Sequence, residues 1–161
     1  MDIMPMNRVQ AAEYVHWTYE APYTFYTIPE EGIEETYKDI FSDSANHYFS
    51  VLNKGRLFGI FEYAVSANDF EIGLGICPQE MGKGNGRAFV SNCLAFGRKH
   101  FNYQGVIKLD VADFNQRAIH LYGQLGFSET GREARLSFGK PVTFIKMETE
   151  QADFFLSYQG C

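Results

Sequence analysis

Apolar and polar positions alternate with a period of two between residues 47 and 77, in the segments HYFSVLN, RLFGIFEYAV and DFEIGLGIC. This period is typical of β-strands. The separators NKG and SAND have turn chemistry, so the pattern predicts three antiparallel strands joined by hairpins. In RLFGIFEYAV both alternating sets are mostly apolar, which predicts a strand inside the sheet that is covered on both faces.

Helical spacing of apolar residues replaces this alternation elsewhere in the chain. It predicts four helices, over residues 7–19, 29–41, about 84–101 and 115–125. In the first, the apolar positions are Val9, Ala12, Val15 or His16, and Tyr19. The basic residues of the third, Arg87, Arg98 and Lys99, fall off its apolar stripe.

Three more strands complete the predicted elements, over about residues 106–111, 127–138 and 142–149. The order strand, helix, strand around the third helix predicts a crossover unit. At 161 residues, with no repeat or linker, the chain is predicted to form one domain over residues 1–161, of α+β or α/β class. One domain is therefore expected to carry the whole function.

Composition narrows the class of ligand. A net charge of -6 argues against a nucleic-acid partner and favours a cationic or amine-bearing ligand. Cys77, Cys93 and Cys161 have no CxxC spacing, and four scattered histidines complete no metal motif. The start of the chain shows no apolar run long enough for a signal peptide or a membrane span. We therefore expect a soluble, cytoplasmic protein without a metal site.

The segment PQEMGKGNGR places three glycines at alternate positions between an apolar strand and a predicted helix. Backbone N–H groups at a helix N-terminus bind anions, and glycine removes the Cβ atoms that would keep a phosphate away. The P-loop pattern fails because Lys83 is followed by Gly84 rather than Ser or Thr, and the dinucleotide fingerprint fails on spacing. Taken alone, the segment fits a phosphate site and a plain tight turn equally well.

A second segment, VIKLDVADFNQRAIHLYGQLGF, changes that balance. With PQEMGKGNGR it resembles the GNAT superfamily of N-acetyltransferases, in particular bacterial ribosomal-protein and small-amine acetyltransferases. The resemblance is sharp over residues 70–127. It implies a GNAT-like fold, a mixed central sheet with helices on both faces, and transfer of acetyl from acetyl-CoA to a primary amine by direct attack in a ternary complex.

The resemblance also implies which residues hold acetyl-CoA. The pyrophosphate contacts fall on Gly82, Lys83, Gly84, Asn85, Gly86 and Arg87. The pantetheine arm would lie along Leu74, Gly75 and Ile76, bonding the backbone as another strand would. Asn115 would bind the cosubstrate from the last helix. Met81 departs from the family, which carries Arg or Gln there.

The general acid implied by the resemblance is Tyr122, because a phenol with a pKa of ~10 can protonate a departing thiolate. A core tyrosine beside Ile119 and Leu125 is the alternative. For the base, Asp110 matches the ribosomal-protein branch and Glu71 matches other branches.

Other interpretations of the base stay open. Glu62 is a third candidate. A plain Lys108–Asp110 salt pair and water relays are the alternatives to a single carboxylate base.

The acceptor site of the family is lined by the first helix and the loop after it, which carry Tyr14, Trp17, Tyr19, Tyr23, Phe25 and Tyr26 here. Aromatic walls can hold an ammonium group, and Trp17 and Tyr26 are the two we name. The acceptor would be a small amine or a protein N-terminus. A silent CoA-binding or sensor module and a phosphate binder unrelated to CoA remain alternatives, and the aromatics and last two strands suggest a homodimer.

Overall fold

The structure is a computed structural model that describes residues 1–150. It contains four α-helices, α1 (Arg8–Tyr14), α2 (Glu30–Ile40), α3 (Gly86–His100) and α4 (Gln116–Gln124). Its seven strands are β1 (Asp2–Pro5), β2 (Asn46–Asn53), β3 (Arg56–Val65), β4 (Phe70–Ile76), β5 (Ile107–Ala112), β6 (Ser128–Ser137) and β7 (Lys140–Thr149). Every predicted helix and strand is present, and β1 is an additional strand that the sequence pattern did not predict.

The strands follow the order β1-β2-β3-β4-β5-β7-β6 in one sheet. The β1–β2, β2–β3, β5–β7 and β6–β7 pairs are antiparallel, whereas β4 and β5 are parallel. The parallel pair confirms the predicted crossover through α3, and the sheet is mixed as predicted. Residues 57–61 of β3 are all buried, which agrees with the expected strand covered on both faces.

The described residues form two compact units, and each unit is built from two separate stretches of the chain. The first unit comprises Met1–Val65 and Gly73–Asn85. The second comprises Ser66–Ile72 and the described residues from Gly86 onwards. Strand β4 contributes residues to both. That one domain carries the whole function stays a prediction.

In the first unit, α1 is shorter than predicted. Asn7 and Gln10 form a capping box at its start, with Gln10 N donating to the Asn7 side chain at 2.9 Å. After Tyr14 the backbone tightens, since His16 N and Trp17 N bond carbonyls three residues back. The predicted apolar stripe was wrong at Val9, which is 78% exposed, and at Ala12, which is also exposed; Ala11 is buried instead, and Val15 is buried as predicted.

In the second unit, the buried residues of α3 pack beside a strand core of Ile107, Leu109 and Val111. Arg98 falls off the apolar stripe of α3, yet its side chain is buried, and Nη1 donates to Gly105 O at 2.9 Å and to Tyr103 O at 3.3 Å. The guanidinium stem covers apolar surface while its head satisfies loop carbonyls after the helix. A basic residue can thus belong to the core when the following loop supplies acceptors.

Cys77 and Cys93 are buried free thiols, and Cys161 lies outside the described residues. Among residues 1–150, no helix is long and apolar enough to cross a membrane.

Candidate functional site

The end of β4 carries the three residues predicted to bind pantetheine. Leu74, Gly75 and Ile76 are partly exposed. The Tyr19 hydroxyl donates to Ile76 O at 2.7 Å. Just beyond, Cys77 N donates to Phe58 O at 2.8 Å, which ties the end of the strand to β3. The last strand residue before the turn is therefore fixed from the loop after α1.

The glycine turn follows as a short 3-10 helix, Pro78–Glu80, and then an irregular stretch up to Asn85. Gly82 has a φ of 73° and Gly84 a φ of 80°, a backbone region that residues with a Cβ avoid. A Cβ on Gly84 would meet nothing within 4 Å. Packing within the protein therefore does not explain this glycine, and open space lies where a Cβ would point.

The glycine turn offers less positive charge to an anion than Lys83 suggests from the sequence. The Lys83 ammonium lies 3.6 Å from the Glu80 carboxylate; the Lys83 side chain is exposed and that of Glu80 is partly exposed. Met81, which stands where the family has Arg or Gln, is partly buried and carries no charge. Backbone amides, rather than a fixed cation, are thus the principal anion donors that this turn can offer.

Gly86 and Arg87 open α3 in the second unit. A Cβ on Gly86 would lie 3.0 Å from Leu121 Cδ2 on α4, so this glycine permits close packing of the two helices. Arg87 is exposed. Of the predicted pyrophosphate residues, Gly86 therefore has a structural role of its own.

An open cavity of about 460 Å³ lies in the first unit. It is lined by Thr18, Tyr19, Glu20, Ala21, Tyr23, Pro78, Gln79 and Met81. A carboxylate, a hydroxyl, an amide and phenol groups contribute the polar lining, and no Lys, Arg or His does. Such a lining favours a cation over an anion.

Some of the aromatic residues after α1 form or support the walls of this cavity, and others lie in the hydrophobic core. Tyr26 packs edge-to-face on Tyr19 with ring centroids 6.4 Å apart, and it stacks with Tyr23 at 6.4 Å. It therefore supports two cavity walls. Trp17 is only 7% exposed and meets the Tyr14 ring at 5.2 Å, so the structure places it in the core rather than at a ligand surface.

Tyr14, Asp39, Tyr48 and Glu62 form a half-buried polar cluster in the first unit. Burial raises the pKa of Tyr14, and the nearby Glu62 carboxylate raises it further. Burial also raises the pKa of Tyr48, as do Glu62 and a hydrogen bond from its hydroxyl to Asp39 Oδ2 at 3.0 Å. Both phenols are therefore neutral donors over the physiological range. The third base candidate, Glu62, therefore lies close to two neutral phenol groups.

Tyr122 is held by the turn that ends α4. Gly126 has a φ of 95°; its N–H donates to Gly123 O at 3.2 Å, and Phe127 N donates to Tyr122 O at 3.0 Å. These two bonds form a Schellman motif, which usually brings the residues at its two ends into contact. Here the Tyr122 and Phe127 rings meet edge-to-face at 5.8 Å. The sequence LYGQLGF thereby fixes the phenol on a buried phenylalanine.

Asn115 is the N-cap of α4, and its side-chain oxygen accepts a hydrogen bond from Ala118 N at 3.2 Å. This explains an Asn before the helix on structural grounds. A cosubstrate contact from the same side chain would use its amide NH₂, because the cap uses the oxygen. The predicted binding role stays a prediction.

Asp110 and Lys108 do not form the salt pair considered from the sequence. Lys108 Nζ lies 2.8 Å from Asp69 Oδ1. Asp110 instead accepts a short hydrogen bond from Arg135 and lies 3.6 Å from Lys146 Nζ. The alternative of a Lys108–Asp110 pair is therefore wrong, since the cations come from β6 and β7.

Glu71 lies on β4 opposite Lys108 of the parallel strand β5. It is half-buried, and burial raises the pKa of its carboxyl; the Asp110 carboxylate raises it further. A carboxyl with a raised pKa is better matched to proton transfer near neutral pH than an ordinary one. Of the two predicted base candidates in this unit, Glu71 has the more favourable environment.

Several residues at these sites were missed from the sequence. Thr18, Glu20 and Gln79 line the cavity, and Arg135 and Lys146 contact Asp110. Glu20 had one available signal, an acidic residue among aromatics. No group of His, Cys, Asp and Glu in residues 1–150 is arranged to hold a metal ion.

A mixed sheet whose parallel strands flank a glycine turn at a helix start is the architecture of acyl-CoA-dependent acetyltransferases. The chain belongs to the acetyltransferase (GNAT) family, whose sequence model matches residues 12–127. The predicted family and fold are thus confirmed, as is acetyl-CoA as the cosubstrate that the family uses.

Individual relatives share one activity in their names. The chain is 30% identical over 122 residues to spermidine N(1)-acetyltransferase of Vibrio cholerae serotype O1, which covers 72% of this chain and 66% of that relative. The chain thus spans slightly less than two thirds of that relative. Among solved structures, two chimeras of the Vibrio cholerae spermidine N-acetyltransferase SpeG and hSSAT are similar to it. One has a TM-score of 0.75 at 24% identity, covering 97% of this chain and 99% of the chimera. The other has 0.72 at 26%, covering 96% and 98%.

Proposed function

We propose that this protein is an N-acetyltransferase that moves acetyl from acetyl-CoA to a small primary amine by direct attack in a ternary complex. The observation that carries the proposal is the end of β4 with its glycine turn, in a chain that belongs to the GNAT family. The relatives named for spermidine acetylation support a polyamine as the acceptor. A net charge of -6 agrees with a cationic acceptor.

The backbone at Gly84 fits a bound phosphate of acetyl-CoA, and this fit can be tested. Gly84 combines positive φ with open space at its missing Cβ, which is what a backbone cradle for phosphate requires. Backbone groups of Leu74, Gly75 and Ile76 would bind the pantetheine arm. When bound, acetyl-CoA supplies the activated acyl group, so the protein's own task is to orient the acceptor and move protons.

The cavity beside the turn is our candidate for the acceptor amine. Glu20 would attract an ammonium group, and Tyr19 and Tyr23 would provide aromatic walls supported by Tyr26. A cavity of about 460 Å³ suits a small amine better than a folded protein surface. A protein N-terminus is therefore the less favoured acceptor.

Proton transfer needs a base and an acid. We assign the base to Glu71, because its pKa is raised by burial and by Asp110 and because it has no ion pair as close as those of Asp110. Accepting a proton on Asp110 would require breaking its contacts with Arg135 and Lys146. Tyr122, fixed by the Schellman motif, is the proposed acid for the departing thiolate.

Release of free thiol from acetyl-CoA, measured with spermidine, other small amines and N-terminal peptides, tests the proposal. Tyr122→Phe should keep CoA affinity, measured by calorimetry, and lose most turnover. Tyr103→Phe is the matched control, since its hydroxyl donates to Val106 O at 2.7 Å within the same unit. Turnover that survives Tyr122→Phe would remove the acid assignment.

The two alternative functions have distinct outcomes in the same assays. CoA binding without turnover on any amine would indicate the silent binding module. Retained phosphate binding without CoA affinity would indicate an unrelated anion binder.

A cytoplasmic location and a homodimer belong to the same proposal. Acetyl-CoA and polyamines are both cytoplasmic metabolites, which supports the first. For the second, β6 is the last strand of the sheet, and Leu136 on it is 74% exposed. An exposed edge strand presents unpaired backbone groups that can pair with a second copy.

A further inference from the structure

One face of the second unit's strands carries a pattern of alternating charges. In the register of β5, β7 and β6, Asp110 lies opposite Lys146, and Glu133 and Arg135 lie on the neighbouring strand. Their side chains meet: Lys146 Nζ is 3.1 Å from Glu133 Oε2, and Arg135 Nε is 3.6 Å from Glu133 Oε1. On β5 and β7 the other face is apolar and buried, with Ile107, Leu109 and Val111 on β5 and Ile145 and Met147 on β7. The charged residues thus form one connected network.

Arg135 is the best-fixed member of this network. Its guanidinium donates to Asp110, approaches Glu133, and lies over the Phe144 ring with 4.1 Å from Cζ to the ring centroid. A planar guanidinium held by a carboxylate and an aromatic face has little freedom to move. Its partner Asp110 has a side chain only 15% exposed. The position of the Asp110 carboxylate is therefore set from β6.

Glu71 lies within the electrostatic reach of this network. Parallel pairing places Glu71 opposite Lys108, two residues before Asp110 on the same face of β5. The Lys108 ammonium is engaged by Asp69, so it is not available as a direct partner for Glu71. The charged groups around Glu71 are Asp69, Lys108, Asp110, Lys146, Arg135 and, farther along, Glu133 and Glu148. Among them, Asp110 and Asp69 oppose ionisation of Glu71, whereas Lys146 and Arg135 favour it.

We infer that Arg135 and Lys146 are positioning residues: their ion pairs with Asp110 fix two positive charges and one negative charge near Glu71, and the balance of these charges controls the pH range in which Glu71 accepts a proton from the amine. This inference rests on the proposed function and deepens it. Asp110 then acts through its charge on Glu71 and does not itself take the proton. Removing Asp110 and removing Arg135 should consequently affect Glu71 in opposite directions.

The test combines a pH profile of kcat/KM for acetyl transfer to spermidine with a ¹³C NMR titration of the Glu71 carboxyl, assigned with Glu71→Gln. Arg135→Met should move the low-pH limb and the NMR titration of Glu71 upward by about half a pH unit or more, because a favourable positive charge is lost. Asp110→Asn should move both downward, because the opposing negative charge is lost. Arg135→Lys should restore most of the wild-type position.

Arg132→Met is the matched control. Arg132 lies on the same strand, pairs with Glu129 at 2.7 Å, and by register faces the other side from Arg135. It removes the same charge, and both readouts should keep their wild-type positions.

Two results would overturn the inference. In the first, Asp110→Asn removes the low-pH limb altogether, which would make Asp110 the base. In the second, Arg135→Met and Arg132→Met give the same Glu71 titration. Absence of turnover in the wild type would instead refute the proposed function, and the NMR titration would still decide whether the network controls Glu71.

Discussion

Three glycines with nearly identical positive φ angles allow the effect of the proposed phosphate turn on CoA binding to be separated from the effect of backbone strain. Gly55, Gly84 and Gly139 have φ values of 78°, 80° and 79°. At each of them, an added Cβ would meet nothing within 4 Å. Only Gly84 lies in the predicted pyrophosphate turn. Replacing each by alanine therefore imposes the same backbone strain, and only one replacement should affect the ligand.

The expected loss of stability follows from that strain. An L-residue in the left-handed region costs roughly 1–2 kcal/mol, and alanine recovers about 0.4–1 kcal/mol by restricting the unfolded chain. The net loss is about 1 kcal/mol for each variant, which lowers Tm by roughly 2–4 °C in a chain of this size. The three variants should agree with one another within the error of a calorimetric scan.

The effect on CoA should separate Gly84→Ala from the other two. A methyl group at the turn keeps a phosphate away from the backbone amides, and a hydrogen bond to a charged group contributes about 1.5–3 kcal/mol. Losing one such bond weakens binding by about tenfold to a hundredfold. Isothermal titration with CoA should show this for Gly84→Ala, with wild-type affinity for Gly55→Ala and Gly139→Ala. Wild-type affinity in all three would refute the cradle, as would an equal loss in all three.

Two further predictions concern neighbours of the turn. Met81→Gln introduces the amide that the family carries at this position, so CoA should bind several-fold more tightly by calorimetry, whereas Met81→Leu should bind as the wild type does. Weaker binding of Met81→Gln would contradict the view that Met81 is a deficit. Tyr19→Phe removes the 2.7 Å hydrogen bond to Ile76 O and should lower the free energy of unfolding by about 1–2 kcal/mol, measured in urea. An unchanged free energy of unfolding would mean that water replaces the phenol.

Local sequence patterns predicted most of the helices and strands. Alternation located β2, β3 and β4, because burial of one or both strand faces leaves a direct trace in the sequence. The motif LYGQLGF predicted the end of α4, since only glycine readily takes the φ of 95° at Gly126. Short elements were harder to predict. Strand β1 has only four residues, most of them exposed, so it shows no clear alternation of apolar and polar positions.

Local sequence patterns could not predict which charged side chains pair with one another. Lys108 and Asp110 share a face of one strand, which suggested a pair between them. The structure pairs Asp110 with Arg135, which lies 25 residues away in sequence on a different strand, and Lys108 with Asp69. Strand order and register decide such contacts, and neither is encoded within a single strand.

The same reasoning bears on how the base was chosen. From the sequence, Asp110 and Glu71 were both carboxylates on strands of the recognised motif, and family resemblance favoured neither alone. The difference between them arises from β6 and β7, which bring Arg135 and Lys146 to Asp110 and leave Glu71 half-buried beside a negative charge. Two like charges in one site favour proton uptake by the one with fewer cationic partners. The sheet order that places β7 next to β5 therefore gives Asp110 its cationic partners, and this is the reason for proposing Glu71 rather than Asp110 as the base.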